Sequence, residues 1–416
     1  MKTMKKVVNN YPYPCTRNIG MEGFGAYLEQ EIAEPRRNLR LFAKEFGELV
    51  SADGDDVSRH LVLVNSGSSA NLVAALVMAE KCKRAGKPLT AAVSAFTFPT
   101  TVSALLLAGF QIKLVDVDEM GFNMSIDKLQ HEKEKPSVVA ITHFLGFPAD
   151  MPALKAYQRQ TGCFILQDAC ETLDTHHGTT PLYQFGDIIT WSFYHPHHLS
   201  SYGGGAVYAT TKEDFILCDS VVHWGRACKC HIDEDLCTVP LGPSHQFTYE
   251  NIGINVEMSE LNACFGRWQL AHWREIEAKR QSNYQLLYDA LSNHPKLTVW
   301  PFHNEQHDSP FVFPILSKDK TVEQVCEILS PSGIEIRTLM GGATCDQQAF
   351  VGKVSYHDCS NARYMSEHTF FVGCHHTLTN EDIKVISSSI TQKLLRVEKE
   401  ESSEGVNVKT EKKQEK

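Results

Sequence analysis

Between about residue 60 and residue 210, short apolar runs alternate with longer stretches of helical spacing, which predicts a largely parallel sheet covered by helices. Strands are expected at Ala91 to Ala95, Ile112 to Val117, Val138 to Thr142, Phe164 to Gln167, Ile188 to Ser192 and Ala206 to Ala209. Between them run helices such as Met151 to Gln160. Another opens at Asn65-Ser66-Gly67-Ser68-Ser69-Ala70-Asn71, continues through Leu72, Leu76, Val77 and Met78, and is closed by Gly86 and Pro88. A helical stretch from Ser259 to about Leu291 carries the chain out of this large domain. Beyond it, Phe311 to Leu316, Val322 to Leu329, Ile334 to Ile336, Thr369 to Val372 and Glu381 to Leu395 predict a smaller α/β domain. The expected divisions are an N-terminal segment 1–58, a large domain 59–275, a small domain 276–397 and a tail 398–416. That tail is nearly all charged or polar and is expected to stay disordered, because it cannot bury enough surface to fold.

A chain of 416 residues exceeds one small core, and 42% hydrophobic with 22% charged residues is an ordinary globular composition. The formal charge of -10, with no concentrated Lys/Arg surface, argues against nucleic-acid binding. No apolar run is long enough to span a bilayer. The basic start, Met1 to Lys6, is followed by Asn9, Asn10 and two prolines instead of an apolar signal core, so a cytoplasmic location is expected. Thirteen cysteines, an odd number scattered through a long chain, read as reduced thiols, some of them metal ligands.

Several positions carry chemistry. Ser66-Gly67-Ser68-Ser69 opens a helix, where unpaired N–H groups, hydroxyls and the helix dipole suit an anion. Asp168 ends an apolar strand, where open α/β sheets place their ligands. Phe98 could stack on a ring or serve as core.

The order of these segments is Ser66 to Asn71, the Phe98 segment, His143-Phe144-Leu145-Gly146-Phe147-Pro148-Ala149-Asp150, Asp168, Trp191 to Leu199, and Tyr249 to Asn255. This order resembles the DegT/DnrJ/EryC1/StrS family of nucleotide-sugar aminotransferases across about residues 60 to 270. Gly333 to Arg337 and Thr369 to Gly373 extend the likeness more loosely. The resemblance implies the PLP-dependent aspartate-aminotransferase-like fold (fold type I), with a large, mostly parallel α/β domain and a smaller C-terminal one. It also implies a homodimer and a nucleotide-sugar substrate. Gly67, Ser68, Ser69 and Ser192 would hold the cofactor phosphate, Phe98 would stack on the ring, and Asp168 would face the pyridine nitrogen. Asn255 would reach the phosphate of the neighbouring subunit. Where the family usually has Gly-Glu-Gly-Gly, this chain reads Tyr202-Gly203-Gly204-Gly205.

The family lysine that holds pyridoxal phosphate as a Schiff base is replaced by His197, and imidazole cannot form that bond. Lys212 and Lys229 are the nearby lysines, and neither ends a Ser-Phe strand. A histidine there resembles the 3-dehydratases of 3,6-dideoxyhexose biosynthesis. These use pyridoxamine phosphate and remove the C-3 hydroxyl of a nucleotide-linked 4-keto-6-deoxyhexose, with His197 as the base. His195 and His198 compete for that role. Cys170, Cys228, Cys230 and Cys237, separated by 57, one and six residues, resemble the ligands of a [2Fe-2S] cluster in the iron-sulfur subtype. That subtype implies an external flavin-iron-sulfur reductase. Glu171 and Tyr194 match residues beside the cofactor. The alternatives are a cluster-free dehydratase, a conventional pyridoxal-phosphate sugar aminotransferase, and a scaffold that keeps the fold without chemistry.

Overall fold

The computed structural model describes residues 11–16, 22–32, 34, 36–51, 55–301 and 309–404, with side chains as far as residue 394. In chain order its strands are β1 (Leu61–Val64), β2 (Thr90–Ser94), β3 (Gln111–Val115), β4 (Val138–Thr142), β5 (Phe164–Asp168), β6 (His176–His177), β7 (Thr180–Pro181), β8 (Ile188–Ser192) and β9 (Gly205–Ala209). They continue with β10 (Leu297–Thr298), β11 (Phe313–Ser317), β12 (Arg337–Thr338), β13 (Val354–Tyr356) and β14 (Thr369–Val372).

Eight strands form the large sheet in the order β1-β9-β8-β5-β4-β2-β3-β13, and β9 alone runs against the others. All five residues of β4, Val-Val-Ala-Ile-Thr, are buried, as a central strand covered on both faces requires. The helix Gly67–Arg84 packs over β8 and β9, and alanines at 70, 74, 75 and 79 let its backbone approach the sheet closely. In register, Asp168 at the carboxyl end of β5 stands between Thr142 of β4 and Thr190 of β8. That alignment gathers polar residues at one edge of the sheet.

The four-stranded sheet has the order β10-β11-β14-β12 and is antiparallel throughout. Its core joins Phe313, Ile315, Phe370 and Val372 to the helices Val322–Leu329 and Asn380–Glu404. The helical stretch expected from Ser259 is two helices, Glu260–Leu270 and Trp273–Leu291, broken where His272 leaves helical geometry. The break lets Trp273 and Ile276 enter the core of the large sheet, while Tyr284, Leu287 and Leu291 of the same helix enter that of the small one.

The chain crosses the expected boundaries. β13, from beyond residue 275, completes the edge of the large sheet, and Tyr13 bridges to Ile334 while the Cys15 N–H donates to Glu335 at 2.8 Å. β1 and β13 are not among the expected strands. The last helix continues through residue 404 into the tail expected to be disordered, and residues 405–416 lie outside the described residues. Among the described residues no helix is long and apolar enough to cross a membrane.

Candidate functional site

A cavity of about 490 Å³ opens where the carboxyl ends of β4, β5 and β8 meet the N-terminus of the helix Gly67–Arg84. Of the residues singled out by sequence, Gly67, Ser68, Phe98, Asp168, Ser192, Cys170, Glu171, Tyr194 and His197 all line it. Arg337 and Phe371 of the small sheet and Thr16 of the N-terminal segment close the remaining walls.

The floor is held rigidly. Asp168 is 1% exposed, and its Oδ2 accepts from Asn71 Nδ2 at 2.8 Å and from the Thr101 hydroxyl, while Oδ1 accepts from Cys170 N–H at 3.0 Å. Asn71 is fixed in turn by the Thr190 hydroxyl at 2.6 Å. A carboxylate pinned this way presents an acceptor of fixed direction. Gly67 has to be glycine, because a Cβ there would lie 2.6 Å from Ser192 Cβ and 2.9 Å from Cys170 Sγ. The resulting cradle brings backbone N–H groups, Ser68 and Ser192 together. Phe98 is 47% exposed at the mouth, so it is not a core residue and offers its ring to a ligand.

His197 and Glu171 carry unusual protonation. His197 stacks on Phe311 with ring centroids 5.1 Å apart, and its Nδ1 is buried without a hydrogen-bond partner. Burial is the main cause that lowers its pKa to about 4, so the ring is neutral at neutral pH. Glu171 is buried, and burial pushes its carboxyl up to about 8 although Leu145 N–H donates to it at 2.8 Å. The His143-to-Asp150 segment supplies that donor from a turn with left-handed backbone at Leu145 and Gly146. A side chain at Gly146 would meet the Ser309 carbonyl at 1.8 Å. The cavity therefore holds a neutral imidazole and a protonated carboxyl.

His198 and His195 do not line the cavity. His198 is buried and satisfied, its Nε2 3.0 Å from the Ser309 carbonyl. His195 stacks on Tyr202 on the exposed surface and does not line the cavity. Tyr194 is 60% exposed at the rim.

Two expected placements differ. Ser69 is taken up in the helix cap: its hydroxyl donates to Asn65 Oδ1 at 2.6 Å and receives Ser66 at 2.9 Å, and Ser66 lines the cavity in its stead. Asn255, expected to serve the neighbouring subunit's site, is exposed and pairs its backbone with His223, outside this chain's own cavity. Cys170 belongs to the cavity and not to the other cysteines. Its partner position beside Cys228, Cys230 and Cys237 is held by His245, whose Nε2 lies 3.1, 3.3 and 3.7 Å from their respective Sγ atoms. The four-thiolate set is thus not assembled, because the turn just after β5 holds Cys170 against Gly67 and Ser192. His245 was missed because its interval of seven residues after Cys237 matches no familiar ligand spacing. Asn71, Thr101 and Arg337 were also missed, since a helix face and a short strand give no signal of what they approach.

A family model described as the DegT/DnrJ/EryC1/StrS aminotransferase family matches residues 26–391. The lipopolysaccharide biosynthesis protein RfbH of Salmonella typhimurium is 29% identical over 373 residues, covering 84% of each chain. The dTDP-4-dehydro-2,6-dideoxy-D-glucose 3-dehydratase of Saccharopolyspora spinosa is 28% identical over 390 residues, covering 88% of this chain and 82% of its own. Among solved structures, a mutant GDP-4-keto-6-deoxymannose-3-dehydratase with bound GDP-perosamine superposes with a TM-score of 0.81 at 20% identity, covering 91% of this chain and all of that one.

Proposed function

This chain belongs to the DegT/DnrJ/EryC1/StrS aminotransferase family, and from that premise we propose that it is a pyridoxamine-phosphate-dependent 3-dehydratase of a nucleotide-linked 4-keto-6-deoxyhexose. The observation that carries the proposal is His197. It stands in the cavity beside Asp168, Glu171 and Ser192, and no lysine is among the described residues that line it.

The donor set fits the cofactor. Ser68, Ser192 and the N–H groups at the helix start would hold its phosphate, Phe98 would cover one ring face, and the pinned Asp168 carboxylate would accept from the protonated pyridine nitrogen. When bound, pyridoxamine phosphate supplies an amine that condenses with a sugar ketone, and a ring that accepts electrons from a broken C–H bond.

The protein's own part is acid-base work. Neutral His197 has a ring nitrogen free to take a proton, and stacking on Phe311 fixes the plane of its ring. Glu171 holds a carboxyl proton at neutral pH and can deliver it to a departing hydroxyl. Arg337, paired with Glu335 at 2.7 Å, is the guanidinium in the lining and would exchange that partner for an anionic nucleotide substrate. With two groups poised in opposite protonation states, the site favours elimination of water over transfer of an amine. The proposed reaction takes its two electrons from pyridoxamine phosphate itself and assigns no role to Cys228, Cys230 and Cys237, which Cys170 does not join.

Borohydride reduction with pyridoxal phosphate, followed by peptide mass spectrometry, tests the site directly. The proposal expects no pyridoxyl group on a lysine in stoichiometric amount. A single lysine modified in every chain would restore the conventional aminotransferase.

A further inference from the structure

We propose that Cys228, Cys230, Cys237 and His245 form a tetrahedral site for one structural zinc ion, separate from the cofactor cavity. The four ligand atoms all lie within 4.8 Å of one another, and the nitrogen sits 3.1–3.7 Å from each sulfur. Tetrahedral bonds to zinc of about 2.3 Å for sulfur and 2.0–2.1 Å for nitrogen place neighbouring ligands about 3.5–3.8 Å apart, so small shifts of these side chains would seat the ion. A two-iron cluster needs its ligands in two pairs on opposite sides of bridging sulfides, a more open set.

The histidine is oriented for metal. His245 Nδ1 faces the Pro240 carbonyl at 3.1 Å, so it carries the proton and leaves the Nε2 lone pair directed at the three sulfurs. One lone pair accepts one S–H hydrogen bond, yet three sulfurs converge on it. A cation at their centre satisfies all four donors.

The surrounding chain gives the ion a purpose. From Cys228 to Thr248 no residue is buried, and the only regular structure is two short turns, Glu234–Leu236 and His245–Phe247. The excursion is closed at its base, where Ala227 N–H donates to the Thr248 carbonyl at 2.9 Å and Arg226 bridges to Tyr249. A loop this long with no core of its own lacks the apolar burial that would offset its ordering, and a metal supplies the missing cross-link. Four protein ligands leave no position open for substrate, so the role is structural. The adjacent Asp219, His223 and His231 are not part of the site. They are engaged with one another and with Glu257, at 2.8 Å for His231–Asp219 and 3.1 Å for His223–Glu257.

The test is metal and acid-labile sulfide analysis of the full-length protein purified anaerobically, for the parent and for His245→Ala and Cys170→Ser. The proposal expects one zinc per chain and no sulfide in the parent, zinc retained in full by Cys170→Ser, and loss of most of it in His245→Ala together with faster proteolysis between residues 228 and 248. Because Cys170→Ser leaves the loop untouched, it keeps the test open even if His245→Ala misfolds. Iron with sulfide, absence of stoichiometric zinc, or loss of the metal from Cys170→Ser overturns the proposal.

Discussion

Glu171→Gln isolates the protonated acid of the cavity. Glutamine has the shape of the protonated glutamic acid and keeps an acceptor for Leu145 N–H, so it reproduces the state that the fold selects. The folded carboxyl holds its proton up to about pH 8, whereas the unfolded chain releases it above the ordinary value of 4.5. A raised carboxyl contributes its full stability below pH 4.5, and this is lost as pH rises toward 8, because the unfolded state then binds fewer protons. At pH 7 the loss amounts to about 3 kcal/mol in the parent, since each pH unit above 4.5 costs about 1.4 kcal/mol while only the folded carboxyl keeps its proton, and it is absent from the glutamine variant. Denaturant unfolding of the cofactor-free protein at pH 5 and pH 7 measures it. Glu171→Gln should gain on the parent by a few kcal/mol between the two pH values, and it should lose dehydration while still binding cofactor. A stability difference that stays constant from pH 5 to pH 7 would refute the reasoning, since it would mean Glu171 is ionised in the fold.

Other outcomes follow from the same geometry. His197→Asn removes the base and should lower dehydration by about 10²–10⁴-fold while near-ultraviolet absorbance shows the cofactor still bound. The parent's rate should fall above about pH 8 as Glu171 ionises and hold down to about pH 4, where His197 gains its proton, as a kcat/KM profile would record over the range in which the protein stays folded. Gly67→Ala drives a methyl into Ser192 and Cys170, and should cost about 1–3 kcal/mol of stability in a thermal melt and weaken cofactor binding.

Much of the site could be read along the chain because its residues stand at strand ends and at one helix start. Asp168, Ser192 and Gly67 are placed by β5, β8 and the helix cap, each of which announces itself through apolar runs and small polar residues. What escaped was set by tertiary approach. Arg337 reaches the cavity from a two-residue strand, and Asn71 meets Asp168 only because the helix Gly67–Arg84 lies across the sheet. The cysteines show the same limit. Linear spacing groups Cys170 with Cys228, Cys230 and Cys237, but the turn just after β5 holds it in the cavity and leaves its place to His245. β13 gave no signal either, being three residues, Val-Ser-Tyr, whose pairing with β3 depends on the fold already formed.

In the proposed reaction a histidine base in place of the family lysine turns the site toward loss of water. Mass spectrometry of the sugar released from a nucleotide-linked 4-keto-6-deoxyhexose, after incubation with protein and pyridoxamine phosphate, asks this directly. The expected product is a sugar that has lost its C-3 oxygen and kept its ketone, with one pyridoxamine phosphate, the two-electron donor, converted to pyridoxal phosphate and ammonia for each sugar. A sugar with the C-3 hydroxyl intact and an amine at C-4 would contradict it.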